Sequence, residues 1–234
     1  MKYKSLAIIP ARLGSKRIKK KNIKLFFGKP IIYYTIKAAI QSHCFDKIIV
    51  STESKIIANI AKKFGAEINF IRPKHLGSDN TSTIKVIKHA INFYKKKNIN
   101  YKFIGCLYPA SPFVKFKDIE KAYNKIKGTK FDFSFTVQKF PSKIERAMKL
   151  NKSLKLRFIK KKYLNKNSNK FDESFFDAGQ FYIGKTNHFF KKNLINQNTF
   201  PIILNKYENI DINDIEDWKF AQKIFKIKNY KSKI

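Results

Sequence analysis

The chain has 234 residues, which is enough for one α/β domain with a core of its own. Hydrophobic residues make up 43% and charged residues 29%, and no apolar run reaches the length of a membrane span. This composition argues against a disordered chain and against a membrane-spanning protein. The net charge of +35 comes mainly from lysines spread over the whole chain. Base recognition in nucleic acids relies mainly on arginine, whereas the positive charge here is mostly lysine. We therefore expect the charge to attract anionic substrates and expect no nucleic-acid partner.

The two cysteines, Cys44 and Cys106, have no metal-ligand spacing and no CxxC pairing. Two free thiols are expected in a reducing cytoplasm, which is the predicted location. The apolar stretch near the N-terminus is interpreted as a buried strand rather than a signal peptide, because basic residues follow it directly and no small-residue cleavage site appears.

Strands and helices are predicted to alternate along the first half of the chain, which indicates βαβ units and a mostly parallel sheet. Five strands are predicted there, at Ser5–Pro10, Lys47–Ser51, Ala66–Ile71, Phe103–Leu107 and Asp132–Gln138. The intervening segments carry apolar stripes at helical spacing. Two further strands are expected at Gln180–Ile183 and Pro201–Leu204. A final amphipathic helix around Trp218 is expected after them.

A polar segment rich in lysine and asparagine, from Lys139 to Ser174, interrupts this alternation. It is either a long loop or an arm that packs on a partner subunit, and long structureless loops are uncommon in compact domains. We therefore treat residues 1–234 as a single domain with an inserted dimerisation arm at 139–176.

A basic, glycine-containing loop follows the first predicted strand and continues to Asn22. Ligands bind at the carboxyl ends of strands in such sheets. Gly14 would allow close backbone approach, loop amides could form an anion-binding nest, and Arg12, Lys16 and Lys21 add positive charge. The alternative is a solvated basic loop, but its place directly after the first strand favours phosphate binding.

A second candidate site lies near the C-terminus, where Ile210 and Ile212 alternate with Asp211 and Asn213 as on a strand. Two oxygen ligands on one face suit Mg²⁺, which takes one or two carboxylates plus substrate phosphates. The alternative is capping of the final helix by Asn213 or Asp214, and both roles can hold at once.

Two further segments end or begin predicted strands, and each could equally be an ordinary turn. They are Tyr108–Pro112 and Asp177–Gln180. The sequence offers no Ser-His-Asp or Cys-His arrangement, so chemistry by positioning and charge fits best.

These motifs together resemble the sialic-acid-type cytidylyltransferases, over the whole chain and in order. The most specific match is the run IIPARLGSKRIKKKNIK that begins at Ile8. Tyr108 and the segment DAGQFY from Asp177 resemble the pseudaminic acid branch of that family. The resemblance implies a nucleotide-diphospho-sugar-transferase-like fold, with a mixed, mostly parallel sheet flanked by helices and a small excursion that reaches across a homodimer.

The same resemblance implies transfer of CMP from CTP to an acidic nine-carbon sugar, with Mg²⁺ as cofactor. Arg12, Lys21 and Asp211 would be catalytic, with Asp211 and Asn213 at the metal. The residues implied to bind the nucleotide are Ala11, Arg12, Gly14, Ser15, Lys16, Lys21, Asn22, Arg72, Thr81 and Ser82. Those implied to bind the sugar are Tyr108, Asp177 and Gln180.

One position departs from the family pattern, which has Asp-x-Asp where this chain has Asp211-Ile212-Asn213. An amide offers a carbonyl oxygen but no charge, so the role of Asn213 is open. Three alternatives to the main prediction remain. They are the same reaction on N-acetylneuraminic, legionaminic or 3-deoxy-octulosonic acid, a transferase that uses UTP or GTP, and a nucleic-acid-binding protein that has lost catalysis.

Overall fold

The computed structural model describes residues 4–163 and 165–231. Five α-helices lie in this part of the chain, namely α1 (Ile32–Gln41), α2 (Lys55–Lys63), α3 (Thr83–Lys95), α4 (Phe116–Gly128) and α5 (Ile215–Lys231). Its strands are β1 (Ser5–Pro10), β2 (Leu25–Phe26), β3 (Lys29–Pro30), β4 (Lys47–Ser51), β5 (Phe103–Leu107), β6 (Phe133–Lys139), β7 (Met148–Leu150), β8 (Leu156–Phe158), β9 (Phe175–Lys185) and β10 (Thr199–Leu204).

Six of these strands form the central sheet, in the order β10-β6-β9-β5-β1-β4. β1 pairs in parallel with β4 and β5, and β10 pairs in parallel with β6. β9 runs antiparallel to both of its neighbours, β5 and β6. The predicted mixed, mostly parallel sheet is therefore confirmed, and the carboxyl ends of five strands meet the start of β9 at one edge.

Both faces of the sheet are covered, as the apolar character of β1 requires. Ala7 and Ile9 face a core that α1, α2 and α4 complete, whereas Leu6 and Ile8 face α3 on the other side. All four side chains are fully buried. A third, smaller cluster joins α5 to the loop after β1 and to the β2–β3 hairpin.

The predicted strand at Ala66–Ile71 is wrong, because only Glu67 makes a bridge to β4, with its partner Ile49. Phe70 then packs on Phe93 of α3, with ring centroids 4.7 Å apart. The segment stays beside β4, because the Glu67 amide donates to the Ile48 carbonyl oxygen and the Arg72 amide donates to that of Thr52, both at 2.8 Å, but it forms no continuous ladder. Burial in this segment is partial, since Ala66 is buried, Ile68 and Phe70 are half-buried and Ile71 is exposed.

The strand predicted at Gln180–Ile183 is longer than expected, since β9 covers Phe175–Lys185. Its register against β6 shifts where Tyr182 pairs with Phe135 and Asp177 pairs with Val137. Four residues of β9 thus lie opposite the single residue Thr136. This bulge interrupts the ladder between β9 and β6, and the pairing continues on its far side from Asp177 to Phe175.

The excursion leaves the sheet after β6 and returns at β9, close to the predicted bounds of 139–176. Within it, β7 and β8 pair antiparallel as a separate two-stranded sheet. Met148, Leu150 and Leu156 of this hairpin are each at least half exposed, at 50%, 58% and 61%. Its role in dimerisation stays a prediction. None of the described helices is long and apolar enough to cross a membrane.

Candidate active site

A cavity of about 500 Å³ opens at the edge where the parallel strands end. Its walls come from the loop after β1, the segment before α3, the loop after β5, the start of β9 and the loop after β10. Chain segments far apart in sequence meet here because the strands that carry them run side by side. This is the edge at which ligands bind in open α/β sheets.

Most of the residues predicted to form the site do line this cavity. They are Arg12, Ser15, Lys21, Asn22, Arg72, Thr81, Tyr108, Asp177 and Asp211. The remaining predicted residues lie outside its lining, namely Ala11, Gly14, Lys16, Ser82, Gln180 and Asn213. The individual binding and catalytic roles stay predictions, but the geometry separates residues that can touch a ligand from those that support them.

The loop after β1 is held by contacts within the protein. Ala11 is buried, and its amide donates to the carbonyl oxygen of Ser51 at 3.0 Å. Asn22, also buried, donates from its side-chain amide to the carbonyl oxygen of Arg12 at 2.9 Å. Asn22 therefore fixes the backbone that carries the Arg12 guanidinium, a supporting role in addition to any nucleotide contact.

The amide nest predicted in this loop is not built from Leu13 or Ser15. The Leu13 amide donates to Glu53 Oε1 at 2.8 Å, and the Ser15 amide donates to the carbonyl oxygen of Leu13 at 2.9 Å. Gly14 between them is exposed, and a Cβ there would meet no protein atom within 4 Å. Charged side chains, more than these amides, are what the loop presents.

Two of these side chains meet an acidic residue that the sequence did not single out as a site residue. Asp79 pairs with the Arg12 guanidinium and with Lys16 Nζ, the latter at 2.8 Å. Hydrogen bonds first from Lys16 and then from Arg12 lower the pKa of Asp79, so the carboxylate is ionised at neutral pH. Asp79 thus occupies the cationic side chains that would receive a triphosphate.

Lys21 reaches the same end of the cavity from a short 3-10 helix at Lys21–Ile23. Its Nζ donates to the carbonyl oxygen of Ile212 at 2.7 Å. Burial lowers the pKa of Lys21, and the nearby Asp211 carboxylate partly opposes that shift. The side chain links the basic loop to the segment that carries Asp211.

Arg72 is buried at the cavity wall and pairs with Glu53, with Nη2 and Oε2 2.7 Å apart. Glu53 also accepts from the Leu13 amide, so it joins Arg72 to the basic loop. Glu53 was missed from the sequence. It comes two residues after β4, the parallel neighbour of β1, and that position was the available signal.

The segment around Asp211 is not a strand, which corrects the sequence prediction, but its alternation of faces is real. Ile212 is buried in the small cluster with Ile18 and Trp218, while Asp211 is exposed to the cavity. A single buried isoleucine thus aims the carboxylate. The same cluster includes Ile18 from the end of the basic loop, so both halves of the site share one core.

Helix α5 starts directly after this segment with reciprocal capping. Asp214 Oδ1 accepts from the amide of Asp217 at 2.9 Å, and Asp217 Oδ2 accepts from the amide of Asp214 at 3.2 Å. The backbone amide of Asn213 also donates to Asp217 Oδ2, at 2.8 Å. The predicted capping role therefore belongs to Asp214, and Asp211 and Asn213 are not needed for it.

The metal role of Asn213 stays a prediction, and both polar atoms of its side chain already make hydrogen bonds within the protein. Its Nδ2 donates to Asp211 Oδ2 at 2.7 Å, and its Oδ1 accepts from Arg17 Nη2 at 2.9 Å. Among the described residues, no group of three or more His, Cys, Asp or Glu side chains could hold a metal ion. The donors fit Mg²⁺ held by the one carboxylate of Asp211 together with substrate phosphates.

A second part of the cavity wall, which we call the aromatic end, is formed by tyrosines. Tyr108 and Thr83 join their hydroxyl groups at 3.2 Å, and the Tyr182 hydroxyl donates to Asp177 Oδ2. The rings of Tyr108 and Tyr182 meet edge to face, 5.7 Å apart. Burial raises the pKa of both tyrosines, so both stay neutral hydrogen-bonding groups.

The β9 bulge explains how Asp177 meets Tyr182. Gly179 has φ +63°, a backbone conformation that side chains other than glycine rarely adopt, and its amide donates to Asp177 Oδ1 at 2.9 Å. The Asp177 carboxylate is thus held through both of its oxygens. Thr83 and Tyr182 were missed as site residues, although Tyr182 lies within the DAGQFY segment that the sequence singled out.

Gln180 lies outside the cavity lining, and its predicted contact with the sugar stays a prediction. Its side chain is 1% exposed and donates from Nε2 to the carbonyl oxygen of Glu208 at 2.7 Å. It therefore anchors the loop that leads to Asp211. Ser82 also lies outside the cavity, exposed at the N-terminal boundary of α3, while Thr81 lines it.

Comparison with known proteins agrees with this architecture. A family model described as cytidylyltransferase matches residues 6–228. The pseudaminic acid cytidylyltransferase of Campylobacter jejuni is 33% identical over 225 residues, covering 96% of this chain and 97% of that protein. The N-acylneuraminate cytidylyltransferase of Escherichia coli is 33% identical over 232 residues, covering 98% of this chain and 54% of that protein.

A solved structure supports the same fold at low sequence identity. The structure of CMP:2-keto-3-deoxy-manno-octonic acid synthetase complexed with CTP aligns with a TM-score of 0.69 and 14% identity, covering 96% of this chain and 99% of that one. At that identity the likeness concerns the fold alone. The family model and the near full-length relatives show that this chain belongs to the cytidylyltransferase family.

Proposed function

We propose that this enzyme transfers CMP from CTP to the anomeric hydroxyl of a nine-carbon acidic sugar, with pseudaminic acid as the favoured acceptor. The observation that carries the proposal is one cavity with a cationic end, at Arg12 and Lys21, and an aromatic end, at Tyr108, Asp177 and Tyr182. A nucleoside triphosphate and a polar acceptor need these two chemistries side by side.

The cationic end suits the triphosphate. Arg12 and Lys21 lie against the cavity, and Lys16 stands beside Arg12 on the shared partner Asp79. In the proposed reaction the sugar oxygen forms a bond to the α-phosphorus and the bond from that phosphorus to the bridging oxygen breaks. The products are the CMP-sugar, pyrophosphate and the proton of the hydroxyl. Fixed positive charge stabilises the oxygens on which charge develops.

Mg²⁺ is the proposed cofactor, with Asp211 as its carboxylate ligand from this chain. When bound, it would neutralise phosphate charge and orient the triphosphate. Lys21 supports this arrangement, because it holds the Ile212 carbonyl next to Asp211.

The choice of acceptor is proposed for the aromatic end. There Asp177 is held by the Tyr182 hydroxyl and the Gly179 amide, so its carboxylate has a fixed direction. A site built to hydrogen-bond particular substrate groups rejects analogues that lack them. The C. jejuni and E. coli relatives are equally identical to this chain, so overall identity does not select the sugar.

Pyrophosphate release tests the proposal, with CTP, UTP or GTP, Mg²⁺ and a panel of sugar acids. We expect release with CTP and pseudaminic acid. Release with N-acetylneuraminic, legionaminic or 3-deoxy-octulosonic acid instead would keep the reaction and overturn the choice of sugar. No release with any pair, together with salt-sensitive binding of nucleic acid, would favour a basic binding protein.

A homodimer that uses the arm at 139–176 is also proposed. The support is the exposed apolar row Met148, Leu150 and Leu156 on the β7–β8 hairpin, in a segment otherwise rich in lysine. Leu156→Asp should convert the dimer to a monomer in light scattering, whereas the exposed Lys155→Asp should not.

A cytoplasmic location remains proposed on the ground of two free thiols.

A further inference from the structure

Both polar atoms of the Asn213 side chain are engaged. Its amide nitrogen lies 2.7 Å from Asp211 Oδ2, and its amide oxygen lies 2.9 Å from Arg17 Nη2. The direction of the amide follows from chemistry, because a guanidinium can only donate and a carboxylate can only accept. Turning the amide over would place donor against donor and acceptor against acceptor.

The backbone holds Asn213 in this position from both sides. The backbone amide of Asn213 donates to the Asp217 carboxylate at 2.8 Å, and the preceding residue, Ile212, is buried. The carbonyl oxygen of Ile212 also accepts from Lys21. The side chain therefore stands between Asp211 and Arg17 without needing to be ordered by a ligand.

The charges at this point argue against a resident divalent ion. Asp211 contributes one negative charge, the Asn213 amide contributes none, and Arg17 brings a positive charge into contact with that amide. A second carboxylate at 213 would have offered both a charge and free oxygens. Here the one oxygen that Asn213 offers already accepts a hydrogen bond from a guanidinium, which holds a positive charge beside it.

We propose that Asn213 is a positioning residue that fixes the Asp211 carboxylate and the Arg17 guanidinium, so that Arg17 takes the place of a second metal-binding carboxylate. It follows that a divalent ion binds only together with the triphosphate, whose oxygens complete its ligand set. Arg17, which lies outside the cavity lining, then supports the phosphate end through Asn213 and Asp211. This inference rests on the proposed role of Asp211.

Mn²⁺ binding to the full-length protein tests this proposal without turnover. Binding is measured as the loss of the free-ion signal in electron paramagnetic resonance. The variants are Arg17→Ala, Asn213→Asp, and both together. Without nucleotide we expect no saturable Mn²⁺ binding in the wild type and saturable binding in the double variant. The Mn²⁺ affinity of the double variant should be at least about tenfold higher than any shown by the wild type. Asp211→Asn added to the double variant should abolish that binding. Adding CTP should bring one Mn²⁺ to the wild type.

Saturable Mn²⁺ binding by the wild type without CTP, lost in Asn213→Ala, would make Asn213 a ligand and overturn the proposal. A folded double variant that binds Mn²⁺ no better than the wild type would also overturn it. Circular dichroism checks the fold, and both changed side chains are partly or fully exposed. Because the nucleotide-free titrations need neither CTP nor sugar, they are decisive even if the proposed reaction fails.

Discussion

The two ends of the cavity are built in different ways. At the cationic end, Arg12 and Lys16 share the exposed partner Asp79, and the contacts are ion pairs between flexible side chains. At the aromatic end, Tyr108 and Tyr182 are mostly removed from water, and burial raises the pKa of both. One end is organised by charge and the other by directed hydrogen bonds.

This difference indicates a division of labour. Exposed ion pairs are worth little by themselves and exchange readily for a ligand, so the cationic end can release Asp79 when phosphates arrive. At the aromatic end the Tyr108–Thr83 bond is partly buried and the two bonds to Asp177 fix the direction of its carboxylate, so this end can discriminate between acceptors. Mutations at the first end should therefore change binding and transfer of the nucleotide, and those at the second should change the acceptor.

The largest expected effect is at the cationic end. Arg12→Ala and Asp211→Ala should each lower kcat by about 100- to 1,000-fold. The first removes a positive charge that stabilises the developing phosphate charge, and the second removes the proposed carboxylate ligand of Mg²⁺. Steady-state pyrophosphate release measures this, with Lys62→Ala on the exposed side of α2 as the matched charge control. Near-normal turnover in both variants, with the fold retained, would refute the assignment of this end.

Tyr182→Phe should sharpen the comparison at the aromatic end. It keeps the ring but leaves Asp177 Oδ2 without its donor, so the KM for the sugar should rise by about tenfold while that for CTP stays unchanged. Tyr101→Phe, near the opposite edge of the sheet, is the control. An equal rise in both KM values would show that the two ends do not act separately.

Asp79→Asn should have a smaller effect of opposite sign. Removing the carboxylate frees Arg12 and Lys16, so the KM for CTP should fall by roughly twofold to fivefold, and Asp79→Glu should leave it near the wild-type value. The pKa of Asp79 is lowered, so its ion pairs are fully formed at every pH above the ordinary pKa of a carboxylate. They are lost only as the pH falls through the lowered pKa. A raised KM in Asp79→Asn would mean that Asp79 itself helps to bind the nucleotide.

The smallest effect concerns pH. The pKa of Lys21 is lowered by burial, so kcat/KM for CTP should begin to fall at a lower alkaline pH than an exposed lysine would give. The charged form is the one that binds phosphate, and it is lost as pH rises through that pKa. In Lys21→Arg the fall should move to higher pH, whatever the rate at neutral pH. An unchanged profile would exclude Lys21 as its cause.

Local patterns in the sequence predicted the strands that carry the site, and they failed where a distant contact competed. β1, β4 and β5 have the predicted bounds, because each is a short apolar run in a buried sheet. Ala66–Ile71 instead alternates apolar residues with Glu67 and Asn69, makes only one bridge to β4, and packs Phe70 on α3. The contact of Gln180 with the sugar was assigned by its segment and stays a prediction, whereas its hydrogen bond to the Glu208 carbonyl oxygen comes only from the tertiary structure.

The sequence by itself determined the basic loop after the first strand, the alternating faces around Ile212, and the two chemistries that the cavity combines. Only the tertiary structure decided which side chains pair across it. Asp79 is 67 residues from Arg12, and Asn213 is 196 residues from Arg17. Such pairs depend on which strand ends lie side by side in the sheet, and no local periodicity records that order. The sequence shows that Asn213 stands where a carboxylate is expected, and the folded chain shows that the amide joins Asp211 to Arg17.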